Sequence, residues 1–133
     1  LLVKLKYVEV WTAKRRAHAA FYQKELQQVP GVEVSKEGPF EKSVYHTFVI
    51  QADRREELKN FLLSRGIETN IHYPIPIHLQ AVAEELGYTR GDFPVAERQA
   101  GRILSLPIHQ DLNEGDLTYV TDAIKEFYGA NGR

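Results

Sequence analysis

The chain contains no cysteine and no methionine among its 133 residues. Without cysteine it has no disulfide framework, no zinc ribbon and no thiol nucleophile. No apolar run approaches the roughly 18 residues that a membrane span requires, and no signal-peptide pattern opens the chain. These absences predict a cytoplasmic domain. Because no methionine marks a translation start, we expect the chain to be a piece of a longer protein.

An excess of charge of either sign is also missing. The chain has seventeen Lys and Arg residues and eighteen Asp and Glu residues, which gives a formal net charge of −1. Domains that bind nucleic acid through bulk charge usually carry a clear basic excess, so we expect no nucleic-acid partner. A domain of this length can bury roughly 70% of its unfolded surface. We therefore expect one folded domain over residues 1–133 with its own core.

A long amphipathic helix is predicted over residues 1–28, where a Pro-Gly break follows. No capping residue precedes it, which favours a cut helix, although a frayed terminus is the alternative. A domain cut from a larger protein should expose the apolar face that its neighbour covered, here around Leu1, Leu2, Leu5 and Val8. The apolar residues at helical spacing are Leu1, Leu5, Val8, Trp11, Ala19, Tyr22 and Leu26.

Four strands are predicted in the rest of the chain from alternating or β-branched runs. They are Val32–Ser35, Ser43–Ile50, Ile67–His72 and a brief edge strand at Leu104–Pro107.

Four further helices are predicted. The first of these helices begins at Asp53 and Glu56, which have capping-box spacing. Its apolar stripe is Leu58, Phe61 and Leu62. Gly66 is expected to end it in a left-handed conformation. The next two helices cover Leu79–Leu86, closed by Gly87, and Phe93–Ile103, with Pro94 in its first turn. Asn113 caps the last helix, whose apolar stripe is Leu117, Val120, Ile124 and Phe127, and residues 129–133 form a frayed tail. The order of elements predicts an α+β fold, a small antiparallel sheet with helices packed on one face.

The segment from His72 to Gln80 is the candidate site. It places His72, Tyr73, His78 and Gln80 within nine residues, and two prolines restrict its backbone. Loops that follow strands commonly present binding groups. Imidazole, phenol and amide groups offer neutral donors and acceptors suited to sugar hydroxyls or phosphate oxygens.

Two plainer interpretations of this segment stay open. The histidines of a purely structural loop would cap the following helix. A metal site is disfavoured, because two histidines six residues apart on a proline-rich loop lack the spacing of zinc motifs. Of the other histidines, His18 is expected to be solvated, His46 to be a structural strand residue and His109 to lack a companion. Ser105 has no nucleophile-elbow context.

Several segments, taken in order, resemble the C-terminal part of the DegT-like pyridoxal-phosphate-dependent sugar aminotransferases. They are the first helix from Val3 through Trp11 and Arg15-Arg16 to Tyr22, the strand Tyr45–Ile50, Gly66–Thr69 running into His72–Gln80, and Phe93–Arg98 continuing to Leu104–Pro107. The resemblance implies the small domain of a type I aminotransferase fold, in which the first helix joins the two domains.

The resemblance also implies a reaction. An amino group, usually from glutamate, passes through pyridoxal 5'-phosphate to a keto sugar carried on a nucleotide, in a homodimeric enzyme. The lysine that forms the Schiff base and the groups that hold the cofactor lie in the large domain, so none of the eight lysines here is assigned that role. The chain is then inactive alone. His72 and Tyr73 match the pair near the nucleotide sugar, often across the dimer interface, and His78 and Gln80 support the loop or contact the substrate.

Two alternatives remain at this point. The chain could be a stand-alone α+β module that binds a small phosphorylated or sugar ligand, or a regulatory module. It could also be a structural dimerisation domain with Trp11 and Tyr22 facing a partner, although core packing is the more frequent use of both side chains.

Overall fold

In the computed structural model, which describes residues 2–130, three strands form one antiparallel sheet in the order β1-β2-β3. The strands are β1 (Val32–Val34), β2 (Phe48–Ala52) and β3 (Ile103–Leu106). The central strand aligns Ile50 with Val34 on one side and with Leu104 on the other. This confirms the small antiparallel sheet, with β3 at its edge.

The described part of the chain also contains five α-helices and two short 3₁₀ helices. The 3₁₀ helices, Ile77–Leu79 and Ala81–Leu86, replace the predicted α-helix at 79–86, and Gly87 closes the second with a φ of +73°. The α-helices are α1 (Leu2–Leu5), α2 (Val8–Leu26), α3 (Arg55–Ser64), α4 (Pro94–Arg102) and α5 (Glu114–Ala130).

The core lies between one face of the sheet and helices α2, α3 and α5. These helices bury their apolar stripes against alternate residues of β2 and β3, as the period-two and 3.6-residue patterns require. Tyr22 of α2 packs its ring 5.1 Å from that of Phe48 and donates a hydrogen bond of 2.9 Å from its hydroxyl to the carbonyl of Pro107. The core residues of the helices are Ala19, Tyr22, Leu26, Leu58, Leu62, Leu117, Val120, Ala123, Ile124 and Phe127.

The long first helix is interrupted. Residues 6 and 7 form a turn in which the Tyr7 amide donates to the Lys4 carbonyl at 3.0 Å, and α2 then runs to Leu26. Leu2 is 79% exposed, and Leu5 and Val8 are exposed as well. This confirms the exposed apolar face for these residues, whereas Leu1 lies outside the described residues. Only the C-terminal half of α2 has a core to pack against.

The prediction of the second strand is wrong in part. Strand β2 begins at Phe48 rather than at residue 43, because Tyr45 has a φ of +47° and cannot continue an extended strand. Arg16 fixes the preceding segment instead, since its guanidinium donates to both carboxylate oxygens of Glu37 at 2.7 and 2.9 Å and to the Ser43 carbonyl. This pairing lowers the pKa of Glu37 below its ordinary value.

The strand predicted at 67–72 does not form. Its only ladder contact within the described residues is a single bridge between Asn70 and Ser105. The segment follows Gly66, which has the left-handed φ of +74° that was predicted for it. It leads into the proline-rich loop too soon for a longer ladder with β3 to develop.

Helix α3 lacks the predicted capping box. Its N-cap is Arg54 in a left-handed conformation, with no side-chain cap bond, while Asp53 forms an ion pair of 3.0 Å with Arg102. The reciprocal capping pattern occurs at α5, where the Asp116 amide donates to the Asn113 side chain and the Asn113 amide donates to the Asp116 carboxylate. The predicted frayed tail is wrong for residues 129 and 130, which belong to α5, and residues 131–133 lie outside the described part.

Helices in the described range are all too short or too polar to cross a bilayer.

Neighbouring leucines of α3 give a direct test of this core. Leu62 is 0% exposed and Leu63 is 57% exposed. We expect Leu62→Ala to lower the free energy of unfolding by about 3 kcal/mol, because it leaves a cavity that the sheet cannot fill. The matched change Leu63→Ala should cost less than about 0.5 kcal/mol. Urea denaturation followed by circular dichroism measures both, and equal losses would contradict the packing described here.

Candidate functional site

The candidate loop leaves the sheet at its β3 edge. The Ser105 amide donates to the Asn70 carbonyl at 2.7 Å, and the Asn70 amide donates back to the Ser105 carbonyl at 3.2 Å. This two-bond bridge fixes the chain two residues before His72. The loop therefore starts from a defined point on the sheet.

His72 and Tyr73 stand at the surface. The Nδ1 atom of His72 lies 2.9 Å from the Ser105 hydroxyl, and the residue as a whole is exposed. Tyr73 is 71% exposed and meets the His72 ring edge-to-face, with the ring centroids 5.6 Å apart. Both side chains are thus available to a ligand, and His72 has one of its two nitrogens already engaged.

His78 is held inside the loop. Its side chain is only 8% exposed, and its Nε2 atom lies 3.0 Å from a carboxylate oxygen of Glu97 in α4. The imidazole also packs against Phe93, with ring centroids 4.7 Å apart. The same Glu97 oxygen accepts a hydrogen bond of 2.8 Å from the Gly91 amide. The Gly91 hydrogen bond, assisted by His78, lowers the pKa of the Glu97 carboxyl.

Gln80 closes the loop from the other side, because its side-chain amide donates to the Ile75 carbonyl at 3.2 Å. The structure therefore divides the four candidate residues into two pairs. His72 and Tyr73 face outward, whereas His78 and Gln80 are bonded to the loop and its support. Their roles toward a substrate stay predictions.

The remaining histidines lie elsewhere. His18 is half-buried on α2, and its Nδ1 lies 3.1 Å from the His109 carbonyl, so it is not simply solvated. His46 lies in the bend before β2, exposed, rather than in the middle of a strand. His109 is exposed and its ring accepts a hydrogen bond of 3.3 Å from the Asp111 amide. The residues that the structure describes include no group of three His, Asp or Glu side chains arranged to hold a metal ion.

Sequence reasoning missed Ser105 and Glu97 as parts of this site. The signal for Ser105 was its position in an alternating apolar strand, since Leu104 and Leu106 face the core and the serine must face the other way. Glu97 carried no comparable signal, because its partners are 4 to 19 residues away in sequence.

The lysines of the chain are not placed to form a Schiff base with pyridoxal phosphate. None of them is buried, and none occurs in the sequence between Lys59 and Lys125, the range that holds the loop. Lys125 is engaged by Glu25 at 2.6 Å. A lysine that forms a Schiff base is normally desolvated or placed beside another cation. None of the lysines in the described residues is therefore placed as a Schiff-base lysine.

Comparison with known proteins places this loop in context. The sequence profile of the DegT/DnrJ/EryC1/StrS aminotransferase family matches residues 1–125. The chain belongs to this family. The family depends on pyridoxal phosphate, so the cofactor predicted from the resemblance is confirmed at the level of the family.

Individual relatives match over nearly the whole chain. A pleiotropic regulatory protein of Geobacillus stearothermophilus is 42% identical over 130 residues, which cover 96% of this chain and 35% of that protein. The dTDP-3-amino-3,4,6-trideoxy-alpha-D-glucose transaminase of Streptomyces venezuelae is 35% identical over 96% of this chain and 34% of its own length. The crystal structure of DesV from S. venezuelae superposes with a TM-score of 0.91 at 35% identity, over 95% of this chain and 34% of that one.

The chain therefore spans about a third of the length of the relatives it matches. Its sheet and helices correspond to part of these aminotransferases, which confirms the fold class of a small α+β domain.

The hydrogen bonds that Glu97 accepts predict a pH dependence. The pKa of Glu97 is lowered in the folded chain, so its contribution to stability is complete above the ordinary glutamate pKa of about 4.3 and is lost as the pH falls through the folded value. We expect thermal unfolding of the wild type to shift down between about pH 5 and pH 3 more than that of Glu97→Gln. Equal shifts in scanning calorimetry would show that the carboxylate does not stabilise the loop.

Proposed function

We propose that this chain is the small domain of an aminotransferase that transfers an amino group, with glutamate as donor, to a nucleotide-linked keto sugar. His72 and Tyr73 bind the nucleotide sugar in this proposal. The single observation that carries it is the outward-facing His72-Tyr73 pair on a braced loop in a member of a sugar aminotransferase family. The cofactor would act as the electron sink and would be held by the rest of the protein.

The chemistry of the pair suits such a substrate. Imidazole and phenol groups donate to phosphate and sugar oxygens without carrying a permanent charge. Because Glu97 and Gln80 hold the loop from two sides, the pair loses little conformational freedom when a ligand binds. We further propose that the full-length enzyme is a cytoplasmic homodimer and that this domain is inactive alone.

Substitution of the exposed pair tests the substrate role. In the full-length protein, we expect His72→Ala and Tyr73→Ala each to lower kcat/KM for the nucleotide sugar about 10- to 100-fold, the usual loss when a hydrogen bond to a charged group is removed. Tyr119→Ala is the matched control, because Tyr119 is also an exposed tyrosine and lies on α5. Its kcat/KM should equal that of the wild type. Unchanged kcat/KM in both site variants would contradict the proposal.

A genetic observation tests the domain assignment separately. The coding sequence upstream of Leu1 should encode a large domain with a lysine that reacts with pyridoxal phosphate. A native start codon directly before Leu1 would overturn the assignment.

A regulatory role is the second candidate, because the 42% identical relative from Geobacillus stearothermophilus is named a pleiotropic regulatory protein. In that case the same loop binds a small phosphorylated or sugar ligand without chemistry. Transfer of the ¹⁵N label from glutamate to a nucleotide-linked keto sugar, followed by mass spectrometry, separates the two. Ligand binding without label transfer by the full-length protein would favour the regulatory role.

A further inference from the structure

We propose that Ser105 is a positioning residue that holds neutral His72 in the tautomer with its proton on Nε2. The exposed side of the imidazole is then a hydrogen-bond donor. This inference deepens the function proposed above and rests on it for the ligand, since the donor would meet an acceptor oxygen of the nucleotide sugar. The tautomer itself is independent of that function.

The position of Ser105 is fixed by its strand. Its neighbours Leu104 and Leu106 are both buried in the core, and its backbone exchanges two hydrogen bonds with Asn70. The serine is only 6% exposed, and its hydroxyl lies 2.9 Å from Nδ1 of His72. The burial of Leu104 and Leu106 therefore fixes the position of the Ser105 hydroxyl. The two-bond bridge at Asn70 fixes the backbone just before His72.

The direction of this hydrogen bond follows from the needs of the serine. Within residues 2–130, His72 Nδ1 is the only hydrogen-bond partner of the Ser105 hydroxyl. If Nδ1 carried the proton, it would donate to the hydroxyl oxygen and leave the buried O–H without an acceptor, which proteins avoid. If the hydroxyl donates, Nδ1 is the acceptor and the ring proton sits on Nε2. The second arrangement satisfies both groups.

The tautomer decides what His72 can do. An Nε2–H group donates to a phosphate, hydroxyl or carbonyl oxygen, but it cannot take up a proton at that atom. His72 is therefore a binding residue that donates toward oxygen rather than a general base. Ser105 acts only through His72, because its hydroxyl is buried behind the ring.

Nitrogen NMR of the imidazole rings tests the tautomer directly in this chain. At a pH about two units above the ordinary histidine pKa of about 6.5, wild-type His72 should show a pyrrole-type ¹⁵N signal at Nε2 and a pyridine-type signal at Nδ1. Ser105→Ala should lose this preference and show averaged signals. Ser105→Thr, which keeps a hydroxyl, should retain it, and Ser64→Ala is the control for loss of a distant serine hydroxyl.

A wild-type ring with its proton on Nδ1, or unchanged His72 signals in Ser105→Ala, would overturn the proposal. Circular dichroism shows whether the alanine variant folds. If it does not, Ser105→Cys carries the test, because its thiol is a weak donor and should give a partial loss of the preference.

Kinetics of the full-length protein then distinguish the two proposals. Ser105→Ala should raise KM for the nucleotide sugar about tenfold with kcat unchanged, as expected for lost binding, and should have no further effect in the His72→Ala background. If the NMR result holds but neither variant changes KM, the substrate role of His72 fails while the positioning role of Ser105 stands. An additional loss from Ser105→Ala in the His72→Ala background would contradict action through His72.

Discussion

The alternation of side chains along β3 is the constraint on which the rest of the molecule depends. Leu104 and Leu106 point into the core, and the residue between them must point the other way. That residue, Ser105, is also buried, and its hydroxyl lies 2.9 Å from Nδ1 of His72. A single short strand thus joins the hydrophobic core on one face to the candidate site on the other. A shift of one residue in its register would exchange the two environments.

The parts of the fold that could be predicted from sequence are those in which one local pattern decides the structure. The stripe of α5 and its Asn113 cap are of this kind, as is the left-handed Gly66. The errors occur where a distant contact competes with the local pattern. Asp53 pairs with Arg102 instead of capping α3, and Arg16 bends the segment before β2 through Glu37. Local helix and strand propensities carry no information about those distant partners.

The candidate site shows the same division between features that local sequence determines and features that distant contacts determine. The proline-rich loop and its two histidines were visible in sequence because they are clustered. The difference between an exposed His72 and a buried His78 was not visible in the sequence, because it depends on Ser105 and Glu97, which belong to other elements. The family resemblance points to the same loop residues, and the structure shows what each one contacts. Residue spacing alone does not distinguish the two imidazoles, which the fold separates.

Helix α2 is used differently at its two ends. From Ala19 onward one face of α2 is buried, at Ala19, Tyr22 and Leu26, whereas Val8 in its first turn is exposed, as are Leu2 and Leu5 of the short helix α1. Substitutions at positions 19, 22 and 26 therefore disturb the core of this domain. Substitutions at positions 2, 5 and 8 change exposed apolar surface instead. The packing of this domain should therefore tolerate substitutions in α1 and the first turn of α2 that it cannot tolerate in the last two turns of α2.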